Sequence, residues 1–314
     1  MVTERTRNRA QMILLGAIAL AVLIVGVSIV VNSLTTTRTA APSQASPQID
    51  EAREFGFESR KGTRSLVLRL NHRYRNVSAG DLGTQITENV TRYSQLLAES
   101  YASSHAEYVS ITYHDGDSAY GERLVQAGND NLTQNENRRD LVPDERLLGW
   151  FVLNVDVENT SREQAEIIVE NGTHSVEYRL NETSNDKLNV TSVVSDGATV
   201  TGRATGICDP SRTRVLLDLV DGTSFSADCQ FNGTKAIEGP STVAIENGDE
   251  LVGKYDLVYN ESVSTPYGLC STSVDRIEPC TSPVVWVANV SATFDSSELN
   301  FSNDYNVSIY GVTS

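Results

Sequence analysis

The sequence predicts an α+β protein: an N-terminal transmembrane helix, a helical pair, then a mainly antiparallel β-sandwich ectodomain built as one sandwich or two in succession. Three observations carry this. Gln11 to Leu34 (QMILLGAIALAVLIVGVSIVVNSL) contains no charged residue, and about 20 apolar residues cross a bilayer's hydrocarbon core as a helix. From Leu82 to Tyr101 the apolar residues recur at helical spacing. Beyond Ser104 the period falls to two, in short segments rich in valine, isoleucine and tyrosine with Gly, Asn and Asp between them.

Residues 1–10 form a basic leader, with Arg5, Arg7 and Arg9 against Glu4. Arginine in excess just before a span holds that end in the cytoplasm, which places the carboxy-terminal bulk outside the cell. The span itself, residues 11–34, is too long for a cleaved signal, and Thr39-Ala40-Ala41 before Pro42 is a poor cleavage site. Residues 35–49, rich in Ser, Thr and Pro, read as a stalk without apolar periodicity.

Residues 50–104 read as a helical pair. Asp50 is a cap candidate, with Glu51 and Glu54 where the helix dipole favours acid. Phe55, Gly62, Leu66 and Leu70 fall near one face of the first helix, and Leu82, Ile86, Val90, Tyr93, Leu97 and Tyr101 form one stripe on the second. Such stripes are core faces, so the helices are expected to run antiparallel against each other.

The remainder divides into a β-rich domain at 105–200 and a second β-rich region at 201–314 holding all four cysteines, with a boundary near Gly197 to Gly206. Asp221-Gly222 and Asn247-Gly248, each between strand candidates, predict type I′ hairpins because both dipeptides supply positive φ. Asn129 to Asp144 (NDNLTQNENRRDLVPD) reads as a long polar surface excursion.

The formal net charge of −16 comes with four lysines against twenty-one arginines. This pattern suits molar salt, where a Debye length of about 3 Å lets like charge accumulate. It argues against nucleic acid and anionic lipid headgroups as partners. Cys208, Cys229, Cys270 and Cys280 make an even set in an extracellular setting, where disulfides are the default. Pairing Cys208 with Cys229 and Cys270 with Cys280 closes short loops between neighbouring strand candidates. A zinc site would want C-x-x-C pairs, which are absent.

Twelve Asn-x-Ser/Thr sequons occur, at Asn76, Asn89, Asn131, Asn159, Asn171, Asn181, Asn189, Asn232, Asn260, Asn289, Asn300 and Asn306. Chance at this composition gives roughly four, and no middle residue is proline, so the excess points to a glycosylated exterior. Motifs for chemistry are missing. His72, His105, His114 and His174 have no metal-binding spacing, and neither a nucleophile elbow nor a phosphate loop is present. Asp115, Asp117 and Glu122 offer hard oxygens around a glycine, either a calcium site or an ordinary acidic turn. No catalytic residue, cofactor or metal ligand is assigned.

Arg9-Ala10-Gln11, the GAIALAVLIVGVSIVVNS span, the helix stretch ENVTRYSQLLAESYASSH and the sequon-rich strands resemble an uncharacterised family of haloarchaeal single-pass, type IV pilin-like surface proteins, mainly over residues 9–125. The resemblance implies processing between Ala10 and Gln11 by a prepilin peptidase and a hydrophobic helix that packs against like helices. It supplies no reaction. The large strand-rich region and the cysteines depart from a minimal major pilin, so an accessory subunit fits better. The expectation is a non-enzymatic, glycosylated surface protein in the cell membrane, single-pass through residues 11–34. Its partners would be the bilayer, other pilin-like subunits or surface glycoproteins. The alternative is a membrane-tethered extracellular enzyme or solute-binding ectodomain.

Overall fold

The computed structural model of the chain describes residues 47–104, 108–133, 136–262, 267–270, 279–297 and 299–310. The leader, the predicted span, Ala10, Gln11, His105 and the stalk up to residue 46 lie outside them. Among the described residues no helix is long and apolar enough to cross a membrane.

Helix α1 runs from Pro47 to Arg73 and α2 from Ala79 to Ser104. The end of the predicted stalk is therefore helical: proline's fixed φ suits the first helical position, and Asp50 lies inside the first turn rather than capping it. Ala52, Phe55, Ser59, Thr63, Val67 and Leu70 make the buried stripe of α1, and Leu82, Ile86, Val90 and Ser94 that of α2. Ser78 caps α2 reciprocally with Asp81: the Asp81 N–H donates to Ser78 Oγ, which donates to Asp81 Oδ2 at 2.7 Å. Phe55 meets Tyr101 edge to face at 5.7 Å, and Gly62 leaves room for the Tyr93 hydroxyl against its backbone. Contacts pairing residue 55 with 101 and 62 with 93 make the helices antiparallel.

The strands are β1 (Tyr108–Asn131), β2 (Arg138–Arg146), β3 (Leu148–Asp156), β4 (Ala165–Asn171), β5 (His174–Glu182), β6 (Leu188–Asp196), β7 (Thr199–Cys208), β8 (Arg214–Asp218), β9 (Thr223–Ser224), β10 (Ser241–Glu246), β11 (Val252–Tyr259), β12 (Cys280–Asp295) and β13 (Asn300–Ser308). They form a seven-stranded sheet, β13-β12-β1-β11-β3-β8-β9, and a six-stranded sheet, β2-β10-β4-β5-β6-β7. Every pairing between neighbouring strands is antiparallel.

Alternation decides what each face of the larger sheet covers. Phe151, Leu153 and Val155 of β3 and Tyr255, Leu257 and Tyr259 of β11 turn into a core shared with the six-stranded sheet. Trp150 and Val258, on the opposite face, join Val109, Ile111, Ala288, Val290, Ala292 and Phe294 beneath the helix pair. Beyond the edge of the second sheet, the other face of β12 and β13 carries partly or fully exposed polar residues: Asn289, Ser291, Thr293, Asn300, Ser302, Asp304 and Asn306. Asn71 of α1 ties helix to sheet. Its Nδ2 donates to Val285 O at 2.9 Å while its Oδ1 accepts from Val285 N at 3.0 Å, so a helical side chain stands in for a neighbouring strand.

Several sequence expectations change. The strand candidates at 108–113 and 123–127 are two parts of one strand, β1, whose register with β12 shifts between His114 and Ala119. Part of the predicted excursion is β2, whose Leu141 and Val142 are buried; Pro143 is tolerated because β2 is an edge strand. Residues 51–314 form one compact unit, and the stretch from Gly197 to Gly206 is the β6–β7 turn and most of β7, not a boundary. Among the described residues both sheets draw strands from either side of it, so those strands make one sandwich. Asn247 does adopt positive φ, 48°, but the Asn247-Gly248 turn carries the chain from β10 in one sheet to β11 in the other and makes no hairpin. Between β8 and β9 the connection is longer than two residues, with Asp218 paired to Thr223 and Gly222 at φ 71°.

Gly149 is where the aromatic residues press closest to a strand: a Cβ there would lie 2.5 Å from Tyr310 Cβ and 2.6 Å from the Trp286 ring. Gly149→Val is therefore expected to lower the unfolding free energy by about 1–3 kcal/mol, the usual cost of overfilling a core. Denaturant titration checks it; an unchanged midpoint would show that the rings move aside freely.

Candidate functional site

A cavity of about 570 Å³ opens where α1, both sheets and the chain's last described residues meet. Arg64 and Leu68 of α1 form one wall, Leu147 to Trp150 the floor, and the loops around Asp218–Asp221 and Thr234–Gly239 the far side. Tyr310 and Ile309 close one end. Aliphatic side chains line its depth and charges its rim. Arg64 Nε donates to Ile309 O at 3.2 Å, Lys235 pairs with Asp221, and Asp218 Oδ1 accepts the Val220 and Asp221 N–H groups at 3.0 Å each. Burial raises the Asp218 carboxyl above its ordinary value despite those donors. Trp150 stacks on the exposed Phe225 at 6.4 Å, and Tyr310 on Trp286 at 5.6 Å. No histidine or cysteine is among the lining residues. The arrangement suits holding a small solute by an apolar body and a few polar groups.

Below that floor lies a charged pair. Arg123 grips Asp256 with two hydrogen bonds, Nε to Oδ1 at 2.7 Å and Nη2 to Oδ2 at 2.6 Å. His72 Nδ1 lies 3.7 Å from Asp256 Oδ2, a contact that would ordinarily favour the imidazolium. The balance goes the other way, because burial and the nearby Arg123 guanidinium bring His72 down to about 4, outweighing Asp256. Asp256 is already committed to the arginine, so His72 stays neutral and packs against Trp150 and Tyr310 at 5.6 and 6.3 Å. Tyr310 in turn accepts from Asn71 Nδ2 at 3.1 Å, and burial raises its hydroxyl well above the ordinary range. The network is structural: it lets polar groups of α1 sit against the sheet without an unpaired carboxylate.

On the open face of β12 and β13, a serine, a histidine and an acid converge. Ser291 Oγ lies 2.6 Å from His114 Nε2 and donates to Asp304 Oδ1 at 2.5 Å. A nucleophilic triad needs the acid on the second imidazole nitrogen and the serine on the first. Here the acid takes the serine's own proton, and the three groups stand on a sheet face. The arrangement is a cross-strand polar ladder.

The other sequence candidates fall as follows. Cys208 is bonded to Cys229 and Cys270 to Cys280. Asp115, Asp117 and Glu122 do not converge: Asp115 accepts from Tyr113 and Tyr120, Glu122 accepts from Tyr259 at 3.1 Å, and Asp117 is exposed. Among the described residues no group of three His, Cys, Asp or Glu is placed to hold a metal. None of the twelve sequon asparagines is buried. Some are exposed, as Asn76, Asn300 and Asn306 are, and others are tied by their own side-chain nitrogen, as Asn89 is to Gln85 O at 2.7 Å and Asn171 to Glu238 O at 2.7 Å. The cavity itself had no sequence signal, since its walls come from distant segments that each look locally ordinary. Trp150, one of two tryptophans, was the nearest thing to a flag.

Compared with known proteins, the chain matches no family model and no curated sequence.

The neutral His72 gives a pH dependence with a definite sign. Its folded pKa, about 4, lies below the ordinary 6.5, so between those values the unfolded chain binds the proton and the folded one does not. Stability from this group is complete above pH 6.5 and is lost as pH falls towards 4. Urea midpoints measured across that window are expected to fall, and His72→Gln to flatten the slope. A variant with the parent's slope would place the titration elsewhere.

Proposed function

We propose that the chain is a membrane-held, non-enzymatic, N-glycosylated cell-surface protein whose β ectodomain serves as an accessory pilin-like or adhesion subunit. The observation that carries this reading is the placement of the sequons: twelve acceptor asparagines, one on α2 and the rest on strands, turns and loops, and every one reaches the surface. An interior protein with the same composition would be free to bury some of them. Two disulfides, one of them joining β7 to the segment around Cys229, suit the same oxidising exterior. The charge of −16 suits a salty one. The uncharged run from Gln11 to Leu34 supplies the anchor, and Arg9-Ala10-Gln11 the processing point.

Fractionation of the cells that make the protein, followed by mass spectrometry of its N-terminus, tests this. Detergent-released protein beginning at Gln11 is the expected result, and one beginning at Met1 would leave a plain anchor without the pilin-like route. Protein in the soluble cytosolic fraction with four free thiols would overturn both.

The cavity favours a second reading, a solute-binding ectodomain. Under it, thermal-shift measurements with a panel of neutral sugars and amino acids find one that raises the melting temperature, and Ile237→Trp, which fills the cavity, abolishes the rise. A panel that shifts neither protein would remove this reading.

A further inference from the structure

Resting on the glycosylated-surface reading above, we propose that the glycans are carried by Asn76, Asn300 and Asn306, and that Asn289, Asn181 and Asn189 stay unmodified as cross-strand hydrogen-bonding partners. Attachment requires the asparagine Nδ2 to reach the anomeric carbon of a polyprenyl-phosphate-linked oligosaccharide. An N–C bond forms there, the bond from that carbon to the phosphate oxygen breaks, its electron pair leaves on the lipid phosphate, and the displaced amide proton passes to a base. An Nδ2 already donating within a sheet, in a strand flanked on both sides, is poorly placed for this.

The sheet pairs sequons against each other. Asn181 lies opposite Asn189 on β5 and β6, and Asn289 opposite Asn306 on β12 and β13. Asn189 Nδ2 donates to Asn181 Oδ1 at 3.0 Å, and Asn181 Nδ2 donates onward to Glu182 O at 3.1 Å. Both strands are interior to their sheet. In the second pair the roles are unequal. Asn289 Nδ2 donates to Asn306 Oδ1 at 2.9 Å from the interior strand β12, whereas Asn306 is exposed, engages the pair through its oxygen, and stands on the edge strand β13. A sugar on Asn306 leaves the acceptor of that bond untouched, while a sugar on Asn289 replaces one of the two hydrogens of the donating nitrogen and crowds the bond. Asn300 and its hydroxyl partner Ser302 are exposed on the same edge strand and the same face, and Asn76 and Ser78 are exposed in the turn between the helices. By contrast, the hydroxyl residues of the Asn131 and Asn232 sequons, Thr133 and Thr234, are buried.

The arrangement also covers a weak point. Among the described residues β13 is a nine-residue edge strand, the kind of edge that recruits other chains unless something blocks it. Two glycans, at Asn300 and Asn306, stand along it.

Glycopeptide mass spectrometry of the full chain purified from the cells that make it tests the assignment. The expected result is occupancy at Asn76, Asn300 and Asn306 exceeding that at Asn289, Asn181 and Asn189 by roughly fivefold to tenfold, the scale of one lost hydrogen bond. Ser308→Ala, which breaks the Asn306 sequon but keeps its Oδ1 on Asn289 Nδ2, removes one glycan mass without a compensating gain at Asn289. Equal or greater occupancy at Asn289 than at Asn306, with glycans present elsewhere, overturns the assignment and leaves the surface reading standing. A chain bearing no glycan at any sequon overturns both.

Discussion

Everything in this fold depends on burying the two faces of the seven-stranded sheet with different material. Seven strands packed only against a six-stranded sheet would leave the whole of their other face in water, which the hydrophobic alternation of β3, β11 and β12 cannot tolerate. The helix pair resolves that by covering one face, and the six-stranded sheet covers part of the other. The long strand β1 belongs to both arrangements: Val109, Ile111 and Tyr113 lie under the helices, and Leu124 lies in the sandwich core. Its register shift near Asp115 is the adjustment that lets one strand serve two cores.

That organisation explains what was legible beforehand. The helix stripes were readable because burial and periodicity coincide over Leu82, Ile86 and Val90; beyond them the buried position is Ser94, and Tyr93, Leu97 and Tyr101 are only partly covered. Most central strands were readable for the same reason. The edge strands β2 and β7 were not, since an edge accepts Pro143 in one and Gly202 and Gly206 in the other, residues that read as loop. Asn247 announced its backbone geometry correctly, yet a positive φ fixes only the direction of a turn. Which sheet the next strand joins depends on where Leu251, Tyr255 and Leu257 find cover, and that lies far away in sequence.

The cavity and the polar network beneath it belong to the same lesson. Trp150, Tyr310, Asp218 and Arg64 come from four different segments and are brought together only after both layers have closed on the larger sheet. The buried arginine and the partly buried histidine acquire their character from that closure too: His72 is neutral because α1 holds it between Trp150 and a carboxylate already spent on Arg123. The sequence displayed the cysteines and sequons openly because those depend on residue type and short spacing alone.

The paired hydrogen bonds between Asn71 and Val285 have a mechanical consequence. Asn71 stands near the C-terminal end of α1 and is latched to β12, which lies inside the sheet between β13 and β1. The helix cannot slip by a turn along the sheet without breaking both bonds inside an apolar layer, so one side chain fixes the register of α1 against β12.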